Sequence, residues 1–286
     1  MNILSIQSWV AYGHVGNASA VFPLQRLGAE VWAVNTVQFS NHTGYGAWKG
    51  DVFTGEQVAR VITGIAERGV LGRCDAVLSG YMGDSGIGGA ILDAVAQVKA
   101  ANPRALYCCD PVIGDDDRGV YVRPGIAELM RDQALPAADI ITPNRFEAEH
   151  LTGLPCRTLA EARVVVERLQ SMMAPGGPRS VLITSLRTED TPDDAIDLLA
   201  AEGGAMHRLR TPLHPVSVNG AGDAIAALYL FHRLSSGSAV VALEAAGSAV
   251  HGLLARTAAA GSREILTVAA QDEFVRPSRV FSAVAC

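Results

Sequence analysis

The sequence predicts a three-layer α/β/α fold built on a central, mostly parallel β-sheet. Two observations carry this expectation. Short apolar runs alternate along the chain with amphipathic stretches of helical period, and polar residues gather where the apolar runs end. Strands separated by helical patterns form parallel sheets with helices on both faces, and such sheets bind ligands beyond the carboxyl ends of their strands.

The strands are expected at Ile3–Gln7, Glu30–Val34, Asp75–Leu78, Ala105–Cys109, Asp139–Ile141 and Ser180–Thr184. Between them the helical period predicts helices over Gly16–Leu27, Gly55–Arg68, Ile87–Lys99, Gly125–Gln133, Arg145–Leu151 and Leu159–Met172. The character then changes. Asp194–Ala201 and Ala205–Thr211 read as a hairpin around Glu202-Gly203-Gly204, two helices follow at Ala224–Leu234 and Ser238–Thr257, and a polar tail closes the chain. No repeat, low-complexity tract or linker interrupts the pattern, so residues 1–286 read as a single domain.

Composition narrows the function classes. With 49% hydrophobic residues and a mean hydropathy of +0.22, the chain can bury a sizeable core. A formal charge of −6 argues against nucleic acid as a partner, because phosphate backbones demand basic surface. An anionic ligand must then be met locally. The five cysteines form no C-x-x-C pair and the seven histidines are scattered, so neither a disulfide framework nor a zinc site is expected. "MNILSIQSWV" lacks the basic and apolar regions of a signal peptide, and no uninterrupted apolar run reaches about 18 residues, so no membrane span and a cytoplasmic, reduced setting are expected.

The two lysines, Lys49 and Lys99, follow Trp48 and Val98, which rules out a P-loop. Ile225 stands where the third glycine of a dinucleotide fingerprint belongs, and neither G-x-S-x-G nor H-E-x-x-H occurs. What survives is phosphoryl transfer without a P-loop. Around "VNGAGDAIAAL", Gly220, Ala221, Gly222 and Asp223 open an apolar helix, where free backbone N–H groups form an anion hole and Asp223 is either an N-cap or a base beside the reacting phosphate. Asp110 and Glu147, at strand ends, are the candidate magnesium acids; Mg²⁺ needs only one or two carboxylates because it keeps several waters. Alone, Asn144 and Glu147 also suit a helix cap, and Ser8, Thr43 and Tyr81 suit ordinary turn and core chemistry.

These motifs resemble a known family. "NGAGD" before a helix is similar to the catalytic signature of the ribokinase-like superfamily, and "NRFE" at 144–147 to its Asn-x-x-Glu motif. The blocks "IQSWVAYGHVGNASAVFPLQRLG", "NTVQFSNHTGYGAWKG", "LSGYMGD", "CDPVIGD" and "DIITPNRFEAEHLTG" resemble the pyridoxal kinases, from Ile3 to about Leu254.

The resemblance implies a ribokinase-like fold and ATP-dependent phosphorylation of the 5′-hydroxymethyl group of pyridoxal, and of pyridoxine or pyridoxamine, to the 5′-phosphate. It implies Asp223 as catalytic base, Ser8, Thr43 and Gly44 at the ring substituents, and Val15 and Tyr81 as walls around the ring. Asp110, Thr142, Asn144 and Glu147 match the nucleotide and metal region, and Thr184, Ser185 and Thr211-Pro212-Leu213-His214 match nucleotide contacts. The loop Gly114–Val122 matches a flap over ATP. A Mg²⁺ ion, a monovalent cation such as K⁺ and a homodimer are implied in the same way. One departure is Ala221, where pyridoxal kinases often carry threonine; an anion hole made of backbone groups survives it, and a hydroxyl contact does not. The other readings are a hydroxymethylpyrimidine kinase, or one of mixed specificity, and a weakly catalytic protein that binds or senses pyridoxal phosphate.

Overall fold

The computed structural model describes residues 1–286. Strand β1 (Asn2–Tyr12) leads through helix α1 (Asn17–Arg26) to β2 (Glu30–Asn41) and the short β3 (Gly50–Val52). Helix α2 (Gly55–Ala66), β4 (Ala76–Ser79), α3 (Gly86–Ala101) and β5 (Leu106–Cys109) follow. A small hairpin, β6 (Gly114–Asp115) and β7 (Gly119–Val120), precedes α4 (Ile126–Leu129), which continues through a π-helical turn into α5 (Leu135–Ala137) and β8 (Ile140–Ile141). Next come α6 (Arg145–Thr152), α7 (Leu159–Met172), β9 (Ser180–Leu186) and the hairpin of β10 (Ala195–Glu202) and β11 (Ala205–Pro212). Helices α8 (Ala221–Ser236), α9 (Ala239–Ala259) and α10 (Asp272–Val275) and strand β12 (Val284–Ala285) close the chain.

Ten strands form one sheet in the order β12-β11-β10-β9-β8-β5-β4-β1-β2-β3. The six from β9 to β2 are parallel, and antiparallel strands flank them on both sides. The chain winds outward from β1 in both directions, so the topological switch point lies between β1 and β4.

Consecutive apolar residues explain the layers. Leu4, Val77, Cys109, Ile141 and Val181 point to one face, where α2, α3 and α7 cover them. Their neighbours Ile3, Leu78, Cys108, Ile140 and Leu182 point to the other, under α1, α8 and α9. A strand buried on both faces has no polar alternation, which is why these segments read as short continuous apolar runs. Helix α9 has the length and mean hydropathy of a membrane span, yet Leu243, Ala246, Ala249 and Leu253 are buried in this core.

Three expectations are corrected. The second strand does not end at Val34 but runs to Asn41, and β3 pairs antiparallel with it (Val37 opposite Val52). The first strand likewise runs on to Tyr12, with a register shift between Gln7 and Trp9. The polar tail contains β12, which pairs with β11 through Val284 and Ala285. The hairpin turn is where the glycines place it, with Gly203 and Gly204 at φ 60° and 82°.

Asn17 pins the first β-α-β unit. Ser5 Oγ donates to Asn17 Oδ1 at 2.7 Å, and Asn17 Nδ2 donates to the Val34 carbonyl at 3.0 Å and to Asn35 Oδ1 at 2.9 Å. Gln7 Nε2 donates in turn to Ser5 Oγ at 2.9 Å. All of Asn17 is buried, so its removal strands several partners without water. Asn17→Ala is expected to destabilise by about 2–3 kcal/mol, measured as a lower urea midpoint at unchanged m-value.

Candidate active site

At the carboxyl ends of the parallel strands lies a cleft of about 450 Å³, joined to a smaller cavity of about 210 Å³. Its floor is the start of α8. Gly220 is the N-cap residue at φ 91°, a conformation open to glycine, and a Cβ there would overlap the His14 carbonyl of the β1–α1 turn. Asp223 is therefore not the N-cap but the third residue of the helix. It faces the cleft with Ala221 and Gly222 beside it. Burial pushes its carboxyl above the ordinary value, against the pull of the Gly16 backbone N–H.

One side of the cleft is an apolar slot. Val10, Val15, Val37 and Phe39 form a buried cluster against which Tyr81 packs. Thr36 Oγ1 donates to the Tyr81 carbonyl at 2.7 Å and fixes the turn after β4. Ser8 is buried at the rim of this slot, and Thr43 and Gly44 sit on a single 3₁₀ turn opposite, capped by His42, whose Nδ1 accepts from the Gly44 N–H at 3.1 Å. A flat aromatic ring with polar substituents fits such a slot.

The other side is acidic. Thr142 Oγ1 donates to Asp110 Oδ1 at 2.9 Å. Asn144 and Glu147 form a capping box for α6: Asn144 Oδ1 accepts from the Glu147 N–H, and Glu147 Oε2 accepts from the Asn144 N–H, each at 2.9 Å. Glu147 Oε1 also accepts from the Ile113 N–H at 2.9 Å, and Asn144 Nδ2 donates to the Gly114 carbonyl at 2.8 Å, so the cap grips the β6–β7 hairpin. Burial holds the Asp110 carboxyl well above the ordinary range, and the charges of Glu147 and Asp223 push it further. Burial also raises Glu147 to about 7, despite three backbone N–H donors. Groups in mutual repulsion without a basic partner fit a divalent cation. They form no three-ligand cage, which suits an ion that fills its shell with water and phosphate oxygens.

The smaller cavity is mostly apolar, lined by residues such as Ile196, Leu198, Ile225, Val250 and Leu254, and Thr211, Pro212, Leu213 and His214 lie on its wall. Thr184 and Ser185 line both cavities. Ser185 is at φ 51°, a strained conformation for a non-glycine residue, beside an irregularity in the β9–β10 register.

Every candidate residue named from the sequence thus lies on one of the two adjoining cavities. Several partners were not foreseen. His251 pairs with His214 (Nδ1 to Nε2, 3.2 Å) and is pushed down to about 4, by burial first and then by the His214 and Arg279 charges. Glu264 accepts from the Tyr45 hydroxyl at 2.6 Å and so ties the chain after α9 to the turn carrying Thr43 and Gly44. Arg118 and Tyr121 of the hairpin face the cleft, with the guanidinium 4.7 Å from the ring centroid. No local sequence signal marks His251 or Glu264, whose partners lie 37 and 219 residues away.

Comparison with known proteins finds relatives along the whole chain. A profile of the phosphomethylpyrimidine kinase family matches residues 65–267. A pyridoxal kinase PdxY of Granulibacter bethesdensis is 68% identical over 286 residues, spanning 100% of both chains. A second, of Rubrobacter xylanophilus, is 55% identical over 97% of this chain and 94% of its own. A solved pyridoxal kinase from Leishmania donovani, in complex with ADP and pyridoxamine, superposes with a TM-score of 0.90 at 31% identity, over 100% of this chain and 99% of that one.

The raised acids make stability depend on pH. A carboxyl whose folded pKa exceeds its unfolded one favours the folded state when protonated, so the benefit is full below the ordinary value and is lost as pH rises through the raised one. For Glu147 that window runs from 4.5 to about 7. Asp110→Asn removes one charge while its Oδ1 still accepts from Thr142. The ligand-free variant is expected to be more stable than the parent at pH 8 by on the order of 1–3 kcal/mol, and the gap should close near pH 4, as read by thermal unfolding across pH.

Proposed function

The chain belongs to the pyridoxal kinase family, and we propose that it transfers the terminal phosphoryl group of ATP to the 5′-hydroxymethyl oxygen of pyridoxal, with Asp223 as the general base. The observation that carries this reading is the position of Asp223. Its carboxylate, in the first turn of α8, faces the larger cleft with the slot of Val15 and Tyr81, next to Ala221 and Gly222, which also line the smaller cavity. A base must come within hydrogen-bond reach of the proton it removes, and a pKa raised toward neutrality makes it a better one.

In this reading Val15 and Tyr81 hold the ring, and Ser8, Thr43 and the Gly44 backbone meet its polar substituents. The N–H groups of Gly220, Ala221 and Gly222 receive the charge that builds on the transferring phosphoryl oxygens, where donors fixed in advance lower the barrier. Ala221 leaves these backbone donors in place, which supports turnover without a threonine hydroxyl. The base and ribose of ATP occupy the smaller cavity, along Thr184, Ser185 and Thr211–His214. Asp110 and Glu147, with Thr142 and Asn144 orienting them, would hold Mg²⁺. When bound, the ion offsets the charge of the nucleotide phosphates. A monovalent cation near the nucleotide and a homodimeric assembly belong to the same proposal and rest on the family.

A second reading has a specific motive. The family profile is that of phosphomethylpyrimidine kinases and begins at residue 65, after the "SNHTGY" turn that faces the ring slot. Turnover of hydroxymethylpyrimidine in direct competition with pyridoxal separates the two; a preference for pyridoxal supports the main proposal. Asp223→Asn is expected to keep the fold and lose about 10²–10⁴-fold in kcat, with KM for pyridoxal little changed. An Asn variant that turns over normally would remove Asp223 from the role of base. Tight pyridoxal binding by the parent with no turnover would instead mark a binding protein.

A further inference from the structure

The two cavities hold several acids and a single permanent cation. Asp110, Asp115, Glu147 and Asp223 face the larger one, while Arg118 is the one Arg or Lys side chain on either wall. The histidines give no help at neutral pH: burial holds His42, His214 and His251 all below the ordinary imidazole value. Of the chain's two lysines, Lys99 is paired with Asp139 at 2.6 Å, before β8 and away from the cleft, and Lys49 lies on neither cavity. A nucleotide triphosphate entering this cleft meets one fixed positive side chain.

Arg118 is held ready rather than locked. It sits in the turn between β6 and β7, half-exposed, with Nε donating to Asp115 Oδ2 and its backbone N–H donating to Asp115 Oδ1, both at 2.8 Å. Tyr121 supports the guanidinium plane from below. Its charge also depresses the ring of His42, which lines the same cavity. An exposed pair of this kind is worth only about 0–1 kcal/mol. A phosphate offers the same planar fork a charge-assisted, bidentate partner. The hairpin's root is fixed by Asn144 and Glu147, which places the exchange beside the acids that repel the phosphates.

We propose that Arg118 is the phosphate-neutralising residue of this site: it leaves Asp115 to bind the terminal phosphates of the nucleotide. This rests on the kinase reading above. During transfer the bond from phosphorus to the ADP oxygen breaks and the bond to the acceptor hydroxyl oxygen forms, while Arg118 keeps all its protons and offsets charge on the moving group.

The test combines turnover with calorimetric binding of a non-hydrolysable ATP analogue and of adenosine, for the parent, Arg118→Ala, Arg118→Lys and Asp115→Asn. Arg118→Ala should lower kcat about 10²-fold, the scale of losing one preorganised donor. It should weaken the ATP analogue at least tenfold (about one phosphate-directed contact) and leave adenosine unchanged. Arg118→Lys should recover part of both losses. Asp115→Asn, which frees the guanidinium, should tighten the ATP analogue. The assignment is overturned if Arg118→Ala binds the analogue as the parent does, or loses analogue and adenosine equally. It is overturned too if Asp115→Asn weakens the analogue as Arg118→Ala does, which would mark the pair as a brace for the hairpin. A parent that fails to phosphorylate pyridoxal would sink the proposed function, while the comparison of analogue with adenosine would still decide the role of Arg118.

Discussion

Two distant pieces of chain must touch for the site to exist. Ser19 Oγ in α1 donates to the Gly220 carbonyl at 2.7 Å, across 201 residues of sequence. This bond seats the β1–α1 turn on the start of α8. The approach is close enough that Gly220 has no room for a Cβ against the His14 carbonyl. The first N–H groups of a helix are unsatisfied by the helix itself, and here they are left aimed into the cleft instead of being covered by a side-chain cap. Val15 sits on the same turn and lines the ring slot. The slot and the start of α8 therefore meet at one turn, and the geometry between them is set by backbone contact.

The electrostatics run against the stability of the empty protein. Asp110 and Glu147 are almost wholly buried, and neither carries an ion pair. Buried acids elsewhere in the chain are compensated: Asp139 by Lys99, and Asp197 by Arg210 through two bonds of 2.7 Å. The contrast separates acids that are paired within the fold from acids in the cleft that are not, which is where functional groups concentrate. Polar groups left uncompensated in a cleft are tolerable when something binding the native state relieves them.

Much of this was legible because the strands are buried on both faces. Pairs such as Val77-Leu78 and Ile140-Ile141 can only be core, and the turns that follow them hold Tyr81, Asp110 and Asn144 at the functional rim. The extension of β2 was hidden because Asn35, Thr36, Gln38 and Ser40 look like loop residues. They are strand because β2 goes on pairing with β1 and with β3, and the buried Thr36 hydroxyl finds the Tyr81 carbonyl 45 residues on. β12 exists only by pairing with β11, and a two-residue strand has no pattern of its own. Asp223 was legible as an acid at the start of α8 but not as a position in it, since the N-cap and the first turn both suit an acid and only the φ of Gly220 separates them. Glu264 and His251 acquire their roles from distant partners alone.

The bond from the α6 capping box to the hairpin has a further consequence. Glu147 accepts from the N–H of Asn144 through Oε2 and from that of Ile113 through Oε1, so the first turn of α6 and the root of the β6–β7 hairpin share one carboxylate. Fraying the helix start releases the hairpin, and lifting the hairpin loosens the helix start. In hydrogen-exchange terms the two segments open as one cooperative unit, with the amides of Ile113 and Asn144 reporting the same event. The hairpin that carries Arg118 is thus clamped to a helix end.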